Sequence, residues 1–188
     1  MSLADADRQT LLQVARSSIQ YTLGNGKDAH YENTLKLGSY SSDLQQQRAT
    51  FVTLNINSEL RGCIGTLEAH QPLVIDVAHN ARAAAFHDPR FSPLSQKEFE
   101  QLDIHISVLG VPELMTFSSE QELIQQIRPN IDGLILTAGS NRGTFLPSVW
   151  DSLKTPEEFW SHLKLKAGLP VNYWSDNIKV ERYTTESF

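Results

Sequence analysis

Two pairs of short apolar segments, each joined by a tight polar turn, set the strongest limit on how this chain can fold. In residues 50–57, Val, Leu and Ile occupy every second position, as in a strand with one buried face. A new strand begins at Leu60 after a three-residue turn. Residues 133–136 and 143–146 repeat this arrangement around a Gly-Ser-Asn turn. Because a short turn joins only antiparallel neighbours, both pairs predict β-hairpins.

Helices are predicted around these hairpins at irregular intervals. Apolar side chains at helical spacing, with capping, Gly or Pro signals at the ends, predict helices over 5–23, 72–86 and 155–168. Capping serines predict shorter helices that begin near positions 95 and 118. Further strands are predicted at 103–109 and 177–183. We therefore expect an α+β fold, with a mainly antiparallel sheet and flanking helices, rather than a doubly wound parallel sheet.

The chain length fits one domain, or a main domain that carries a small lobe. With 188 residues the chain can bury a substantial core, but it has no room for a second independent enzyme. We interpret residues 1–188 as a single domain. Within it, residues 25–49 are polar and rich in Gly, Asn, Ser and Gln, and this segment is the candidate for a small lobe or flap.

Composition narrows the classes of function. A formal net charge of −6 argues against an extended basic surface, so no nucleic-acid partner is expected. No apolar run is long enough to span a bilayer, and the first residues lack a signal-peptide layout, so we expect a cytoplasmic protein that does not enter the membrane. The chain has one cysteine, which excludes an internal disulfide and a C-x-x-C site.

The principal candidate site is the segment 60–66, LRGCIGT. In a regular strand, Arg61 and Cys63 share a face about 6.5–7 Å apart. A guanidinium at that distance favours the thiolate, so Cys63 and Arg61 are the candidate catalytic residues. Gly62 and Gly65 weaken a strand, which is tolerated at a bulge or where a ligand or another backbone comes close. Both glycines are therefore candidate substrate contacts.

Cys63 also has a purely structural interpretation. Free cysteine is among the most buried residue types, and a lone cysteine in a strand is commonly a small core residue. In that case the thiol would contribute packing rather than chemistry.

Three histidines lie near the ends of predicted elements: His70, His87 and His105. Any of them can serve as a general base for a thiol, but none has metal-ligand spacing to another. We interpret each as structural or exposed, and we predict no metal site. His105, on the polar side of its strand, is kept as a candidate substrate contact.

Two further segments place charges beside turns. Asp88 and Arg90 flank a proline between two aromatic residues, where they form either a substrate-anchoring ion pair or a lock on the loop. Arg142 lies next to a glycine in the second hairpin, a position suited to an anionic group and equally ordinary in a turn. All three are candidate substrate-binding residues. No phosphate-loop or dinucleotide fingerprint occurs, so no cofactor is predicted.

Seven blocks of this sequence, in order, resemble the AMMECR-one domain family. They are 60–66 (LRGCIGT), Asn80 with 84–86 (AAF), 88–91 (DPRF), 104–109 (IHISVL), 132–136 (DGLIL), 142–143 (RG) with 145–147 (FLP), and 166–169 (KAGL). The resemblance covers residues 60–169, whereas residues 1–50 carry little of it. It implies an α+β protein with a main sheet-containing domain and a smaller lobe.

The resemblance also bears on function. It implies an association with Memo-like and radical-SAM proteins, beside which or fused to which microbial members often occur, but it supplies no established reaction. It ranks Cys63 and Arg61 above the histidines, because His87 stands at a variable position of the family. Two hypotheses follow. The first is an enzyme that uses Cys63 on a small anionic substrate together with such partners. The second is a non-catalytic ligand-binding or adaptor module.

Overall fold

The computed structural model describes residues 2–188, which form six α-helices, three 3-10 helices and eight strands. In chain order the α-helices and strands are α1 Asp5–Asn25, α2 Ser42–Gln45, β1 Thr50–Ile56, β2 Glu59–Gly65, α3 Leu73–Phe86, α4 Gln96–Phe99, β3 Asp103–Leu109, β4 Glu113–Leu114, α5 Glu120–Gln126, β5 Gly133–Ala138, β6 Asn141–Phe145, α6 Pro156–Lys166, β7 Lys179–Tyr183 and β8 Thr185–Ser187. The 3-10 helices are Tyr31–Thr34, Leu37–Ser39 and Pro147–Asp151. Two compact units result: residues up to Leu109 with Glu186–Phe188, and Gly110–Thr185.

The first unit is a four-stranded sheet with helices on one face. Its strand order is β2-β1-β3-β8, so β2 is an edge strand. Buried side chains such as Val52, Leu54 and Ile106 point from the sheet into a core shared with α1 and α3. Alternation places Thr53 and His105 on the opposite face, where Thr53 is half-buried and His105 is exposed. That face of the sheet is mainly polar, with Phe51 as an apolar member.

Strand β2 is irregular at one point. It pairs with β1 through Val52↔Ile64, Thr53↔Cys63 and Leu54↔Gly62, and the register then shifts so that Asn55 faces Leu60. Arg61 is the extra residue at this bulge. A bulge turns a side chain away from the direction that simple alternation assigns to it.

The second unit has its own sheet and core. Its strand order is β4-β7-β5-β6. One face packs on a core that contains three large aromatic side chains, Trp150, Phe159 and Trp160. Trp150 stacks on Phe159 with ring centroids 4.0 Å apart, and its indole N–H donates to the Asp132 carbonyl at 2.8 Å. Aromatic burial of this kind supplies much of the apolar area of a small core.

The α+β class with antiparallel pairing is confirmed, and it takes the form of two four-stranded sheets. The helix starts predicted at Ser95 and Thr155 are both present, and each is a capping box. Helix α1 continues to Asn25, past the predicted stop at Gly24, and ends at Gly26 with φ 96°. Residues 25–49 belong to the first unit and contain two 3-10 helices and α2. Among the described residues, no helix is long and apolar enough to cross a membrane.

Candidate functional site

The backbone of Cys63 is held at the outer edge of β2 by an ion pair. Its N–H donates to Oδ2 of Asp88 at 2.9 Å, and its carbonyl accepts a longer bond from Nη2 of Arg90 at 3.4 Å. Arg90 donates two hydrogen bonds to the same carboxylate, from Nε to Oδ1 at 3.0 Å and from Nη2 to Oδ2 at 2.7 Å. The Asp88–Arg90 pair therefore occupies the place that a neighbouring strand would take, and it satisfies both polar groups of an edge residue.

The two members of this pair differ in exposure. The Asp88 side chain is 2% exposed, whereas that of Arg90 is 55% exposed. The hydrogen bond from Arg90 is the main reason that the pKa of the Asp88 carboxyl lies far below its usual range, and it outweighs the opposing effect of burial. The same contact raises the pKa of Arg90. Asp88 is thus ionised, buried and dependent on one half-exposed guanidinium.

Helix α3 brings these residues to Cys63. The helix ends at Phe86, where the Asp-Pro dipeptide of residues 88–89 cannot continue it. Its 14 residues rise about 1.5 Å each, which returns the chain along β2. The expected convergence of Asp88 and Arg90 with Cys63, across a sequence separation of 25 and 27 residues, is observed at the sheet edge.

The thiol of Cys63 belongs to a polar row across the sheet. Thr53 lies opposite Cys63 on one side and opposite His105 on the other. The Cys63 Sγ and Thr53 Oγ1 atoms are 3.2 Å apart, a close approach of the kind made in non-hydrogen-bonded pairs. The Nε2 atom of His105 lies 2.8 Å from Oδ2 of Asp103. The row thus joins a sulfur, a hydroxyl and an imidazole on one polar face.

Arg61 does not point toward the thiol as a regular strand would require. Because it sits at the bulge, its Nε donates to Oε1 of Glu98 at 2.8 Å and its Nη2 donates to the Ser92 carbonyl at 2.8 Å. The hydrogen bond from Arg61 lowers the pKa of Glu98 to about 2. The guanidinium charge is therefore committed to a carboxylate, which corrects the expectation that it acts directly on Cys63.

Phe91 links the two arginines. The guanidinium carbon of Arg61 lies 5.6 Å from the centre of the Phe91 ring, and that of Arg90 lies 5.5 Å from it. Both distances are within the range of cation–π attraction. Arg61 and Arg90 therefore belong to one cluster, in which the aromatic ring is a component that the charge pattern did not reveal.

The glycines beside Cys63 make room for protein atoms. A Cβ at Gly62 would collide with the carbonyl oxygen of Ala84, and a Cβ at Gly65 would collide with the ring of Phe51. Gly62 thus permits the backbone of α3 to approach β2 closely. This gives both glycines a packing role, while their role as substrate contacts stays a prediction.

A buried carboxylate network lies at the start of α3 and was not predicted. Asp76, fully buried, accepts hydrogen bonds from Thr50 at 2.6 Å, Gln71 at 2.8 Å and Asn80 at 3.0 Å, and also from Thr66. The network fastens α3 to the beginning of β1 and the end of β2. The only signal in the sequence was the i,i+4 spacing of Asp76 and Asn80 in a helix whose remaining residues, apart from His79 and Arg82, are apolar.

A second unpredicted cluster joins the segment 25–49 to α3. Oε1 of Glu32 lies 2.8 Å from Nδ1 of His30, 3.6 Å from Nδ1 of His79 and 3.4 Å from Nη2 of Arg82. Burial raises the pKa of Glu32, but the hydrogen bond from His30 and the nearby charges outweigh burial and lower it. The cluster anchors the 3-10 helix that contains Glu32.

The remaining candidates lie elsewhere. Arg142 is on β6 opposite Thr137 and belongs to the second unit, whereas the other seven predicted site residues belong to the first. His70 is exposed and contacts the Glu68 carbonyl at 2.9 Å. Burial, followed by the charge of Arg82, lowers the pKa of His87. In the described part of the chain, no group of three His, Cys, Asp or Glu side chains is placed to hold a metal.

The sequence profile of the AMMECR1 family matches residues 12–188. A protein of Methanothermobacter thermautotrophicus is 34% identical over 192 residues, with 99% of this chain and 95% of that protein covered. A Thermotoga maritima protein is 37% identical over 153 residues, with 80% and 83% covered. The crystal structure of an uncharacterised Pyrococcus horikoshii protein superposes with a TM-score of 0.81 at 33% identity, covering 98% of this chain and 92% of that one. The chain belongs to the AMMECR1 family, as the resemblance in its sequence indicated.

Proposed function

We propose that this protein is a cysteine-dependent enzyme acting on a small anionic substrate at the polar face of the first unit's sheet. The proposal rests on the hydrogen bonds of Asp88 and Arg90 to the backbone of Cys63, which we call the clamp. A buried carboxylate and its arginine fix the backbone of this one residue at 2.9 Å and 3.4 Å, while its thiol stays half-buried on a polar face. Support of this kind is what a reactive side chain needs in order to be held in position.

The row through Thr53 gives the thiol suitable neighbours. Cys63 would act as the nucleophile or as the sulfur that contacts the substrate. The hydroxyl of Thr53, 3.2 Å from the sulfur, can donate a hydrogen bond to a thiolate. His105 lies one strand beyond Thr53, so its backbone is about 10 Å from that of Cys63. A small molecule lying over Thr53 would therefore meet the sulfur at one end and the imidazole at the other.

The charge of Arg90 supports an anionic substrate. Although it is paired with Asp88, its side chain is 55% exposed, which leaves the guanidinium accessible to solvent. Arg61 contributes less, because its side chain is 11% exposed and Glu98 neutralises it. Memo-like and radical-SAM partners and a cytoplasmic location complete the proposal, and these rest on the family resemblance and on the sequence.

Thiol reactivity tests the proposal directly. Cys63 is the only cysteine, so the mass of the intact protein reports alkylation of this residue alone. We expect iodoacetamide to label the folded protein at neutral pH faster than it labels a free thiol of pKa about 8.5. Thr53→Val keeps the shape of the side chain but removes the hydroxyl, and it should slow the reaction. Ser107→Ala removes a hydroxyl elsewhere on the same sheet and should leave the rate unchanged.

A non-catalytic ligand-binding or adaptor module is the second candidate. It is favoured by the pairing of charges within the cluster, since Arg61 binds Glu98 and Arg90 binds Asp88. Labelling no faster than that of a free thiol would select this alternative. Metabolite profiling with Memo-like and radical-SAM proteins present, comparing wild type with Cys63→Ser, supplies the second criterion. An identical product profile for both proteins would end the enzyme proposal.

A further inference from the structure

A small cavity lies between α1 and the segment 25–49, and it is separate from Cys63. Its volume is about 150 Å³. One wall is a single stripe of α1, formed by Thr10, Gln13, Val14 and Ser17 at the i, i+3, i+4 and i+7 positions. The opposite wall is formed by Tyr31 and Tyr40. The cavity thus lies between a helix and the segment 25–49, and it is open to solvent on one side.

The lining is polar but uncharged. Three of the four helix residues carry a hydroxyl or an amide, although a helix stripe under a covering segment is ordinarily apolar. Thr10 donates to the Ala6 carbonyl at 2.8 Å. Within residues 2–188, the side-chain polar groups of Gln13, Ser17 and the two tyrosines make no hydrogen bond to protein. Donors and acceptors are therefore available along both walls.

The tyrosine wall is held in place. The ring of Tyr31 packs on that of Tyr21, with centroids 5.6 Å apart. Ser41, next to Tyr40, donates to Asp7 of α1 at 2.8 Å. Glu32, next to Tyr31, contacts Arg82 of α3 at 3.4 Å. Burial, and then the neighbouring Tyr31, raise the pKa of Tyr40, so its phenol remains a neutral donor. The cavity does not depend on a mobile wall.

We propose that this cavity binds a neutral molecule with a single six-membered ring that carries both a hydrogen-bond donor and an acceptor. The size of the proposed ligand follows from the volume of the cavity, because about 150 Å³ admits a benzene-sized ring. The ring is matched by two tyrosine side chains, which favour aromatic contacts. The neutral charge follows from a lining without any ionised side chain, which offers a bound ion no charged partner.

Three probes of nearly equal shape test the proposal: benzamide, benzoate and toluene. We expect benzamide to cause saturable NMR shifts at the Val14 methyl groups and at the rings of Tyr31 and Tyr40. Benzoate adds a charge and toluene lacks hydrogen-bonding groups, so each should bind about tenfold more weakly or worse. Equal binding of benzoate would refute the neutral class, and equal binding of toluene would refute the polar recognition.

Variants locate the binding. Ser17→Leu fills the cavity from the helix and should abolish the benzamide shifts, whereas Gln20→Leu adds the same side chain on an exposed face of α1 and should preserve them. Tyr40→Phe keeps the fold and removes one donor, so binding should weaken. Thermal melts establish that Ser17→Leu is folded. Undiminished binding by Ser17→Leu and Tyr40→Phe, or no saturation in wild type at about 10 mM benzamide, would overturn the proposal.

Discussion

The carboxylate of Asp88 accepts a hydrogen bond from the backbone N–H of Cys63 at 2.9 Å, although 25 residues separate them in the chain. The contact is to the backbone, so it fixes where Cys63 lies without occupying its thiol. Arg90 completes the clamp from the same turn. Two of the sequence blocks that carry the family resemblance, LRGCIGT and DPRF, are therefore parts of one structural feature.

Asp88→Asn should destabilise the protein. The amide oxygen can still accept from Cys63, but the charge that binds Arg90 is lost. Since Arg90 is 55% exposed and water screens its charge, we expect a loss of about 1–2 kcal/mol in the free energy of unfolding rather than the larger cost of a fully buried pair. Urea unfolding measures it. Asp103→Asn, at a carboxylate 69% exposed, should change stability by less than about 0.5 kcal/mol. Equal effects of the two changes would contradict this account of the clamp.

The Arg61–Glu98 pair should make stability sensitive to acid. The pKa of Glu98 is lowered from 4.5 to about 2 in the folded protein, first of all by the hydrogen bond from Arg61. A carboxyl group with a depressed folded pKa contributes stability above its unfolded pKa and loses it as the pH falls toward the folded one. Wild type should therefore lose stability between about pH 5 and about pH 2.

Glu98→Gln should remove part of this acid sensitivity. The variant should be less stable than wild type near neutral pH, and the gap should close toward the acid end. Glu100→Gln, at an exposed glutamate beside the same short helix, is the matched control and should follow the wild-type curve. Urea unfolding across the pH range is the measurement. A gap between Glu98→Gln and wild type that stays constant with pH would rule out the linkage.

Gly62→Ala should disrupt the packing of α3 on β2. The added methyl group would meet the Ala84 carbonyl, which is backbone and has little freedom to move. We expect a loss of about 1–3 kcal/mol in the free energy of unfolding. Gly24→Ala is the control, because no atom lies within 4 Å of its added Cβ. In a helix that change should be neutral or stabilising by up to about 1 kcal/mol. Thermal unfolding of both variants compares them, and equal stability would mean that the contact with α3 relaxes freely.

Cys63→Ala separates a reactive thiol from a packing one. The side chain is half-buried, so its removal should cost less than about 1 kcal/mol of stability. Any activity that depends on the thiol should be lost in the same variant. The test combines a thermal melt with an assay of partner-dependent turnover. A marked loss of stability, with turnover intact below the melting transition, would make Cys63 a core residue.

Local features of the sequence were good predictors of single elements. Ser95 and Thr155 begin their helices as predicted, because a helix cap depends only on residues three positions apart. The strand Asp103–Leu109 has the predicted bounds, and His105 lies on its polar side. Helix α3 stops before the Asp-Pro dipeptide as expected. The grouping of Asp88 and Arg90 with Cys63 was also predictable, from the length of α3 alone.

The direction of Arg61 was not predictable in the same way. Its direction depends on a bulge between β1 and β2, and a register shift is a property of two strands rather than of one. For the same reason, the sequence showed neither Thr53 beside the thiol nor the donors around Asp76. These contacts join residues whose separation in the chain carries no periodic signal.

The sequence by itself determined the antiparallel hairpins, the starts of the capped helices and the grouping of Asp88 and Arg90 with Cys63. Each of these follows from local steric and hydrogen-bonding preferences, or from side-chain patterns repeated along a single element. The tertiary structure alone decided the separation into two units and the pairing of Arg61 with Glu98. It also decided that Asp88 binds the backbone of Cys63 rather than its thiol. Such choices depend on which polar groups remain unsatisfied once the strands and helices have packed, and only the assembled fold defines those groups.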